Sequence, residues 1–167
     1  KLFPQRNFLG IDIKGARIWK GAKTSLIENI PNIGFLRTRI EFLYSFFAPG
    51  EVDEIWLTFP DPQIKKKRKR LTSSRFLNLY GQFLKDNGII HLKTDNDMLF
   101  QYTLSLLKYN QLEIIECTDN LYASEINYPI LTIKTYYEQQ FLEMNATIKY
   151  LCFKLPYGKN IEEIPDE

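Results

Sequence analysis

Short apolar runs alternate along this chain with segments of helical periodicity. The clearest apolar run, residues 52–59 (VDEIWLTF), is rich in the β-branched and aromatic residues that favour strands. Ile18, Ala22 and Leu26 instead recur at the spacing of one helix face. Because strands that alternate with helices are typical of βα units, the sequence predicts an α/β fold with a doubly wound, mostly parallel sheet.

Turn and capping residues set the expected bounds of these elements. We expect strands at residues 8–13, 33–36, 52–59, 89–92, 112–117 and 149–155, and helices at residues 16–28, 40–47, 74–85, 96–109 and 135–144. Asn87-Gly88 is the predicted stop of the third helix. The 167 residues fit one domain, which we place at residues 1–156, and the acidic tail at residues 157–167 is expected to fray.

The positive charge of the chain is concentrated in one short run. Residues 65–70 read KKKRKR. The other 16 of the 22 Lys and Arg residues are outnumbered by the 20 Asp and Glu residues, so the net charge of +2 depends on this run. A solvated surface is the ordinary interpretation of such a run. Six adjacent cations repel one another, however, and a polyphosphate ligand relieves that repulsion, so nucleic-acid binding is the alternative.

Composition excludes several classes of protein and site. The two cysteines do not form a disulfide framework, and with a single histidine they supply neither a zinc site nor a nucleophile–base set. That histidine, His91, lies inside an apolar strand, where we expect it to pack in the core. Since the sequence has no apolar run of about 18 residues and no signal-peptide pattern, we expect a reduced cytoplasmic protein that binds neither metal nor membrane.

Three aspartates follow predicted strands, at the edge where doubly wound sheets bind their ligands. Asp12 can accept hydrogen bonds from a ribose diol, or serve as a loop carboxylate or helix cap. Asp61 lies between two prolines, which hold Phe59 and Asp61 extended and present a carboxylate on a stiff loop, although an ordinary turn is the alternative. Asp95 is either a ligand residue or the N-cap of the following helix.

A late segment, Thr135-Tyr136-Tyr137-Glu138, has two interpretations. Its tyrosines can stack on an unpaired base while Glu138 accepts hydrogen bonds from a base edge. The alternative is the start of an amphipathic helix, in which Thr135 is the cap and Glu138 its capping-box partner. The residue types alone favour the helix start.

Four segments together resemble the tRNA (guanine-N7-)-methyltransferase family of class I, S-adenosylmethionine-dependent enzymes. They are NFLGIDIKG at residues 7–15, FPDPQIKKKRKR at 59–70, HLKTDN at 91–96 and TYYE at 135–138. The FPDP element with its basic run is the distinctive one. The resemblance implies a Rossmann-like fold, S-adenosylmethionine as methyl donor, and methylation of guanosine N7 in the variable loop of tRNA.

The resemblance also implies roles for single residues. Asp61 matches the catalytic aspartate, and cofactor-binding positions match Asp12, Thr38 and Asp61. Substrate-binding positions match Lys65, Asp95, Thr135, Tyr136, Tyr137 and Glu138. RNA-contacting positions match Lys67, Arg68, Lys69, Arg70, Leu71 and Thr72.

Some features depart from the family pattern. Gln63-Ile64 replaces a Trp-centred pair, and Gln140-Phe141 replaces Arg-Gly after the late motif. The first strand and the glycine-rich loop are missing from the sequence, so we expect this chain to be inactive alone.

Two alternative functions stay open: a noncatalytic RNA-binding α/β module, and a Rossmann-like methyltransferase with another substrate. The oligomeric state is open between monomer and homodimer.

Overall fold

The structure is a computed structural model that describes residues 2–165. The chain divides between Phe46 and Phe47 into two compact units, each with its own sheet. No helix in the described range 2–165 is long and apolar enough to span a bilayer.

The first unit is a βαβ motif. Strand β1 (Phe8–Asp12) is followed by helix α1 (Gly15–Ile27) and strand β2 (Ile33–Arg37), and the strands pair in parallel. Two glycines let the backbone pack closely on the ring of Phe35: a Cβ atom would lie 2.9 Å from the ring at Gly10 and 2.5 Å from it at Gly21. A short 3₁₀ helix, Ile40–Ser45, follows β2.

The second unit is built on a four-stranded sheet. Its elements in chain order are β3 (Val52–Thr58), α2 (Ser74–Tyr80), β4 (Leu84–Thr94), α3 (Asp97–Tyr109), β5 (Ile114–Thr118), α4 (Tyr136–Glu143) and β6 (Lys149–Leu155). The strand order is β3-β4-β6-β5. β3 and β4 are parallel, and β6 runs antiparallel to both β4 and β5. Three of the four strands therefore point the same way, which confirms the predicted α/β class with a mostly parallel sheet.

The segment between β5 and β6 covers one face of this sheet. Leu121, Leu131 and Ile148 from that segment form a buried cluster with Tyr150 and Cys152 of β6. α3 packs against β4 and β6. Layers of this kind, formed by connections that pack on a sheet, are what a doubly wound fold requires.

The prediction that the third helix extends to residue 85 is wrong. α2 ends at Tyr80, and β4 begins at Leu84, three residues before the predicted stop at Asn87-Gly88. Phe83 and Leu84 are both buried, and the carbonyl of Phe83 accepts a hydrogen bond from the backbone N–H of Val52 at 3.1 Å. Pairing with a distant strand therefore overrides the local helical preference.

The prediction that the acidic tail frays is also wrong for its described part. Ile161 is 2% exposed, and its backbone exchanges two hydrogen bonds with the side chain of Asn78 at 2.8 and 2.9 Å. The side chain of Asn110 makes a similar pair of bonds with the backbone of Glu162, at 2.8 and 2.9 Å. Two asparagines thus supply the backbone partners that a frayed tail would find in water.

The two cysteines should differ in reactivity in the folded protein. Cys117 is exposed and Cys152 is buried, and burial raises the pKa of the Cys152 thiol to about 11. Because the thiolate is the reactive form, we expect iodoacetamide at about pH 8 to label Cys117 and leave Cys152 unlabelled. Peptide mass spectrometry measures this, and denatured protein, in which both should react, is the control. Equal labelling of both in the folded protein would contradict the burial of Cys152.

Candidate functional site

The loop that follows β3 has an unusual backbone. Phe59 has φ +50° and Gln63 has φ +46°, in the left-handed region that residues with side chains rarely adopt. The N–H of Phe59 donates to the carbonyl of Lys93 at 2.8 Å, and the Phe59 ring stacks on Phe141 with 5.7 Å between centroids. The prediction that Phe59 is extended is therefore wrong, because strand pairing and ring packing hold it in a strained conformation.

Asp61 lies exposed in this loop, just beyond the carboxyl end of β3. Its Oδ1 accepts a hydrogen bond from the backbone N–H of Gln63 at 2.9 Å, which is the geometry of an Asx turn. The turn that the sequence offered as an alternative is therefore present. Because the side chain is exposed, the turn and a role in ligand binding are compatible.

The six basic residues of the run divide into two groups by exposure. Lys65, Lys66, Arg68 and Lys69 are exposed, Lys67 is half-buried, and Arg70 is 7% exposed. Lys66, Lys67, Arg68 and Lys69 line a cleft of about 390 Å³ together with Glu163. Four cations therefore face solvent, and two are part of the folded framework.

Arg70 joins the basic run to the loop that holds Asp61. Its Nε donates to the carbonyl of Pro62 at 3.1 Å and its Nη2 to the carbonyl of Ile64 at 3.5 Å. Its guanidinium lies over the ring of Tyr102, 4.3 Å from the centroid, in a cation–π contact. Because one buried side chain contacts both segments, the Asp61 loop and the run are held as one structure.

The two residues after the run, to which the family resemblance assigns RNA contacts, are partly or fully buried. Leu71 is half-buried and Thr72 is fully buried. The hydroxyl of Thr72 lies 2.7 Å from that of Thr103, which itself donates to the carbonyl of Leu99 at 2.8 Å. This hydrogen-bond chain ties the end of the run to α3, so an RNA contact by Thr72 stays a prediction.

Asp95 follows β4, and it is not the N-cap of α3. That position belongs to Asn96, whose Oδ1 accepts from the backbone N–H of Leu99 at 2.9 Å. The backbone carbonyl of Asp95 accepts from Lys149 Nζ at 2.9 Å. The capping alternative for Asp95 is therefore wrong, and its half-buried carboxylate lies just beyond the carboxyl end of β4.

A buried ion pair connects β4 to the start of α4. Lys93 is 2% exposed and Glu138 is 0% exposed, and the Lys93 ammonium contacts Glu138 Oε1. The same oxygen accepts from the hydroxyl of Tyr122 at 2.7 Å, and this bond, after burial, raises the pKa of Tyr122. Glu138 also forms the complete capping box with Thr135 that the sequence favoured.

The two tyrosines between these capping residues face outward. Tyr136 is 66% exposed and Tyr137 is 42% exposed, and their rings meet edge to face with 5.7 Å between centroids. The capping box thus holds Thr135 and Glu138 inward while it leaves two aromatic rings at the surface. An exposed aromatic pair on a fixed helix start can stack on an unpaired base.

In the first unit, Asp12 and Thr38 lie at the carboxyl ends of neighbouring parallel strands. Asp12 Oδ1 accepts from the backbone N–H of Lys14 at 2.8 Å, and its Oδ2 lies 3.3 Å from Arg17 Nη1 in an exposed ion pair. Asp12 is thus a loop carboxylate, one of the alternatives that the sequence left open. Thr38 is half-buried, and its hydroxyl lies 3.5 Å from the carbonyl of Arg39.

His91 is a core residue, as predicted, and each of its ring nitrogens lies near a polar atom. Its Nδ1 lies 2.8 Å from the hydroxyl of Tyr150, and its Nε2 lies 2.9 Å from a carboxylate oxygen of Glu54. Its ring stacks on Trp56 with 3.8 Å between centroids. Within residues 2–165, no cluster of three or more His, Cys, Asp or Glu side chains has the arrangement of a metal site.

The second unit therefore gathers three features at one end of its sheet. Asp61 and Asp95 follow the carboxyl ends of neighbouring parallel strands, and Arg70 anchors the basic run to the Asp61 loop. The sequence assigned no role to Lys93, Tyr102 or Glu163. The one available signal was the position of Lys93 at the end of an apolar strand. A buried ammonium requires a buried partner, so this position indicates an ion pair.

Comparison with known sequences identifies relatives along most of the chain. A family model described as "Putative methyltransferase" matches residues 1–151. The tRNA (guanine-N(7)-)-methyltransferase of Porphyromonas gingivalis is 58% identical over 93% of this chain and 64% of its own length. The enzymes of the same name from Bacteroides thetaiotaomicron and Christiangramia forsetii are 52% and 50% identical, over 99% and 91% of this chain and 66% and 69% of their own lengths. The chain thus spans slightly less than two thirds of the first two relatives.

Solved structures show the same fold. A SAM-dependent O-methyltransferase from Thermotoga maritima superposes with a TM-score of 0.58 at 14% identity, over 95% of this chain and 53% of that one. Geranyl diphosphate C-methyltransferase from Streptomyces coelicolor superposes with a TM-score of 0.54 at 15% identity, over 90% of this chain and 63% of that one. The fold is the Rossmann-like fold of class I methyltransferases, and the sequence match to residues 1–151 with the relatives at 50–58% identity show that the chain belongs to the tRNA (guanine-N(7)-)-methyltransferase family.

Proposed function

We propose that the protein containing this chain transfers a methyl group from S-adenosylmethionine to N7 of a guanosine in the variable loop of tRNA. The observation that carries the proposal is the joining of an exposed carboxylate, Asp61, to an exposed cationic run through Arg70. A site that modifies a base in a polyanion needs a reacting centre and a phosphate-binding surface side by side. The names of the relatives supply the chemistry.

The proposed reaction needs little from the protein beyond alignment and charge. Guanine N7 carries a lone pair that accepts hydrogen bonds, so it can attack a sulfonium methyl group directly. The new N–C bond forms as the S–C bond breaks, and the base gains the positive charge that sulfur loses. A carboxylate beside the base, Asp61 or Asp95, favours that charge, and holding the two reactants in line supplies much of the rate.

We propose cofactor-binding roles for Asp12 and Thr38 in the first unit and, separately, for Asp61 in the second unit. Asp12 lies half-buried at the end of β1, where a carboxylate can accept from a ribose diol. Thr38 follows β2, next to Asp12 across the parallel pair, and is assigned to the adenine side. The arginine that pairs with Asp12 is an exposed partner, so the carboxylate can exchange it for a ligand at small cost.

We propose that tRNA contacts the second unit through two surfaces. The exposed cations Lys65, Lys66, Arg68 and Lys69 meet phosphates, which position the RNA without reading its sequence. The exposed rings of Tyr136 and Tyr137 stack on bases near the target guanosine, which must leave its own stack to react. Thr135 and Glu138 are engaged with each other in the capping box. They contact tRNA directly only after a rearrangement; otherwise they contribute by holding the two tyrosines in place.

The first prediction for this function concerns the charge of Asp61. Asp61→Asn keeps an oxygen for the Gln63 N–H but removes the charge, whereas Asp61→Ala removes both. We expect either variant of the full-length protein to lose at least about 100-fold in kcat/KM for methyl transfer to tRNA. tRNA affinity should change less than about twofold, because phosphate contacts dominate it.

Asp53→Asn is the matched control, since Asp53 is an exposed carboxylate near the opposite end of β3. Transfer from labelled S-adenosylmethionine and filter binding of tRNA supply the two readouts. Full activity in Asp61→Asn together with loss in Asp61→Ala would show that the turn matters and the charge does not. RNA binding without any methyl transfer by the wild-type protein would favour the noncatalytic module.

The second prediction concerns the exposed cations. In the triple variant Lys66→Ala/Arg68→Ala/Lys69→Ala, the slope of log affinity for tRNA against log salt should fall by about 2 to 3 units, because each lost phosphate contact removes about 0.7–0.9. The control triple variant, Lys85→Ala/Lys154→Ala/Lys159→Ala, removes the same charge away from the run and should leave the slope nearly unchanged. Equal slopes for both triple variants would make residues 65–70 an ordinary solvated surface.

The third prediction concerns the buried pair. Lys93→Met leaves the Glu138 carboxylate buried without its cation, and we expect the free energy of unfolding to fall by about 3–5 kcal/mol. Lys93→Met/Glu138→Gln removes the uncompensated charge and keeps the bonds to Tyr122 and Thr135 possible, so it should recover at least half of that loss. Urea unfolding measures both. A loss below about 1 kcal/mol in Lys93→Met would rule out the closed ion pair.

A further inference from the structure

The C-terminal segment, residues 161–164, lies against α2 and α3 beside the basic run. The side chains of Asn78 in α2 and Asn110, the C-cap of α3, form hydrogen bonds with its backbone, and Ile161 is buried. The segment is acidic, and an acidic segment beside an RNA-binding surface repels the polyanion. Its firm attachment at this place therefore calls for a physical reason other than RNA attraction.

The carboxylate of Glu163 is the centre of the contacts. Its Oε1 accepts from the hydroxyl of Tyr102 at 2.8 Å and its Oε2 from the hydroxyl of Ser74 at 2.9 Å. Lys67 Nζ lies 3.8 Å from Oε1 and donates to the carbonyl of Ile164 at 2.7 Å. Burial and the bond to Glu163 raise the pKa of Tyr102, which keeps the phenol protonated and able to donate.

These contacts continue to the Asp61 loop through the ring of Tyr102. The Arg70 guanidinium lies over that ring and donates to the carbonyls of Pro62 and Ile64. One chain of contacts therefore runs from the loop through Arg70 and Tyr102 to Glu163, and from Glu163 to Lys67. Arg70 and Lys67 are the two residues of the run that belong to the folded framework. Arg70 is connected to the Glu163 carboxylate through Tyr102, and Lys67 contacts that carboxylate directly.

We propose that Glu163 is a positioning residue that fixes the basic run in the conformation that binds tRNA. It uses the charge of Lys67 and the phenol of Tyr102 to order the run, and leaves the four exposed cations to meet phosphates. Binding then costs less conformational entropy, because long side chains on an ordered backbone have less freedom to lose. This proposal rests on the proposed function for its tRNA readout, and its structural half can be tested without RNA.

The structural half is tested by trypsin, which cleaves after Lys and Arg and so reports on the exposure of residues 65–70. In the full-length protein, Glu163→Gln should be cleaved within the run at least about three times faster than wild type, because local opening admits the protease. Glu162→Gln is the matched control: Glu162 is exposed and carries the same charge one residue earlier. Tyr102→Phe removes only the hydroxyl and should accelerate cleavage in the same direction. Cleavage of Glu163→Gln at the wild-type rate would overturn the ordering role.

The functional half is tested by tRNA affinity, where positioning and charge predict opposite signs. Removal of a negative charge alone should tighten the binding of a polyanion, and we expect that, or no change, for Glu162→Gln. Positioning predicts that Glu163→Gln binds tRNA about 3- to 10-fold more weakly with an unchanged salt slope, and that Tyr102→Phe, with no change in charge, follows it. Tighter binding by Glu163→Gln with a steeper slope would identify the segment as a competitor of RNA and overturn the proposal.

The two proposals fail in different ways. If the wild-type protein neither binds nor methylates tRNA, the proposed function fails and the RNA-binding role of Glu163 fails with it, whatever trypsin reports. If the wild-type protein methylates tRNA and Glu163→Gln matches it in both affinity and cleavage, the positioning role alone fails. Thermal unfolding of each variant, expected within a few degrees of wild type, separates local release of the run from loss of the fold.

Discussion

The parallel pairing of β3 with β4 is the constraint on which the candidate site depends. Thr58 lies opposite Lys93, and the hydrogen bond from Phe59 N to Lys93 O extends the pairing by one residue. Both strands therefore end at the same level, and the loops that carry Asp61 and Asp95 begin side by side. A register slip of one residue would turn the side chains of one strand to the opposite face and separate these groups.

Lys93 supports this arrangement with two different groups. Its carbonyl holds the start of the Asp61 loop, and its ammonium holds Glu138 in the first turn of α4. Burying both charges is costly, so the pair persists only because its partners are fixed on every side, by Tyr122 and the capping box of Thr135. Lys93 on β4 therefore holds both the loop after β3 and the start of α4, which carries the exposed tyrosines.

The sequence was sufficient for the elements whose patterns are local. The bounds of β6 agree with prediction, β1, β2 and α3 agree to within a residue at each end, and the polar residues at strand ends follow from the α/β pattern alone. The failures are tertiary: Leu84 joins β4 because Val52 pairs with it, and Phe59 is left-handed because Lys93 and Phe141 hold it. Glu163 and Tyr102 are 61 residues apart, and no local pattern predicts their contact.

The basic run shows why charge alone is an incomplete description of such a segment. Six adjacent cations on a flexible loop would bind any polyanion and pay for their own repulsion in the free protein. Here Arg70 is engaged by two carbonyls and an aromatic face, and Lys67 by a carbonyl and a carboxylate, so a third of the charge serves the fold. The other four cations project from a backbone that is held in place, so the fold defines the spacing between them. A phosphate backbone of matching curvature therefore gains affinity from both the spacing and the charge of these cations. A polyanion of another shape gains affinity only from the charge.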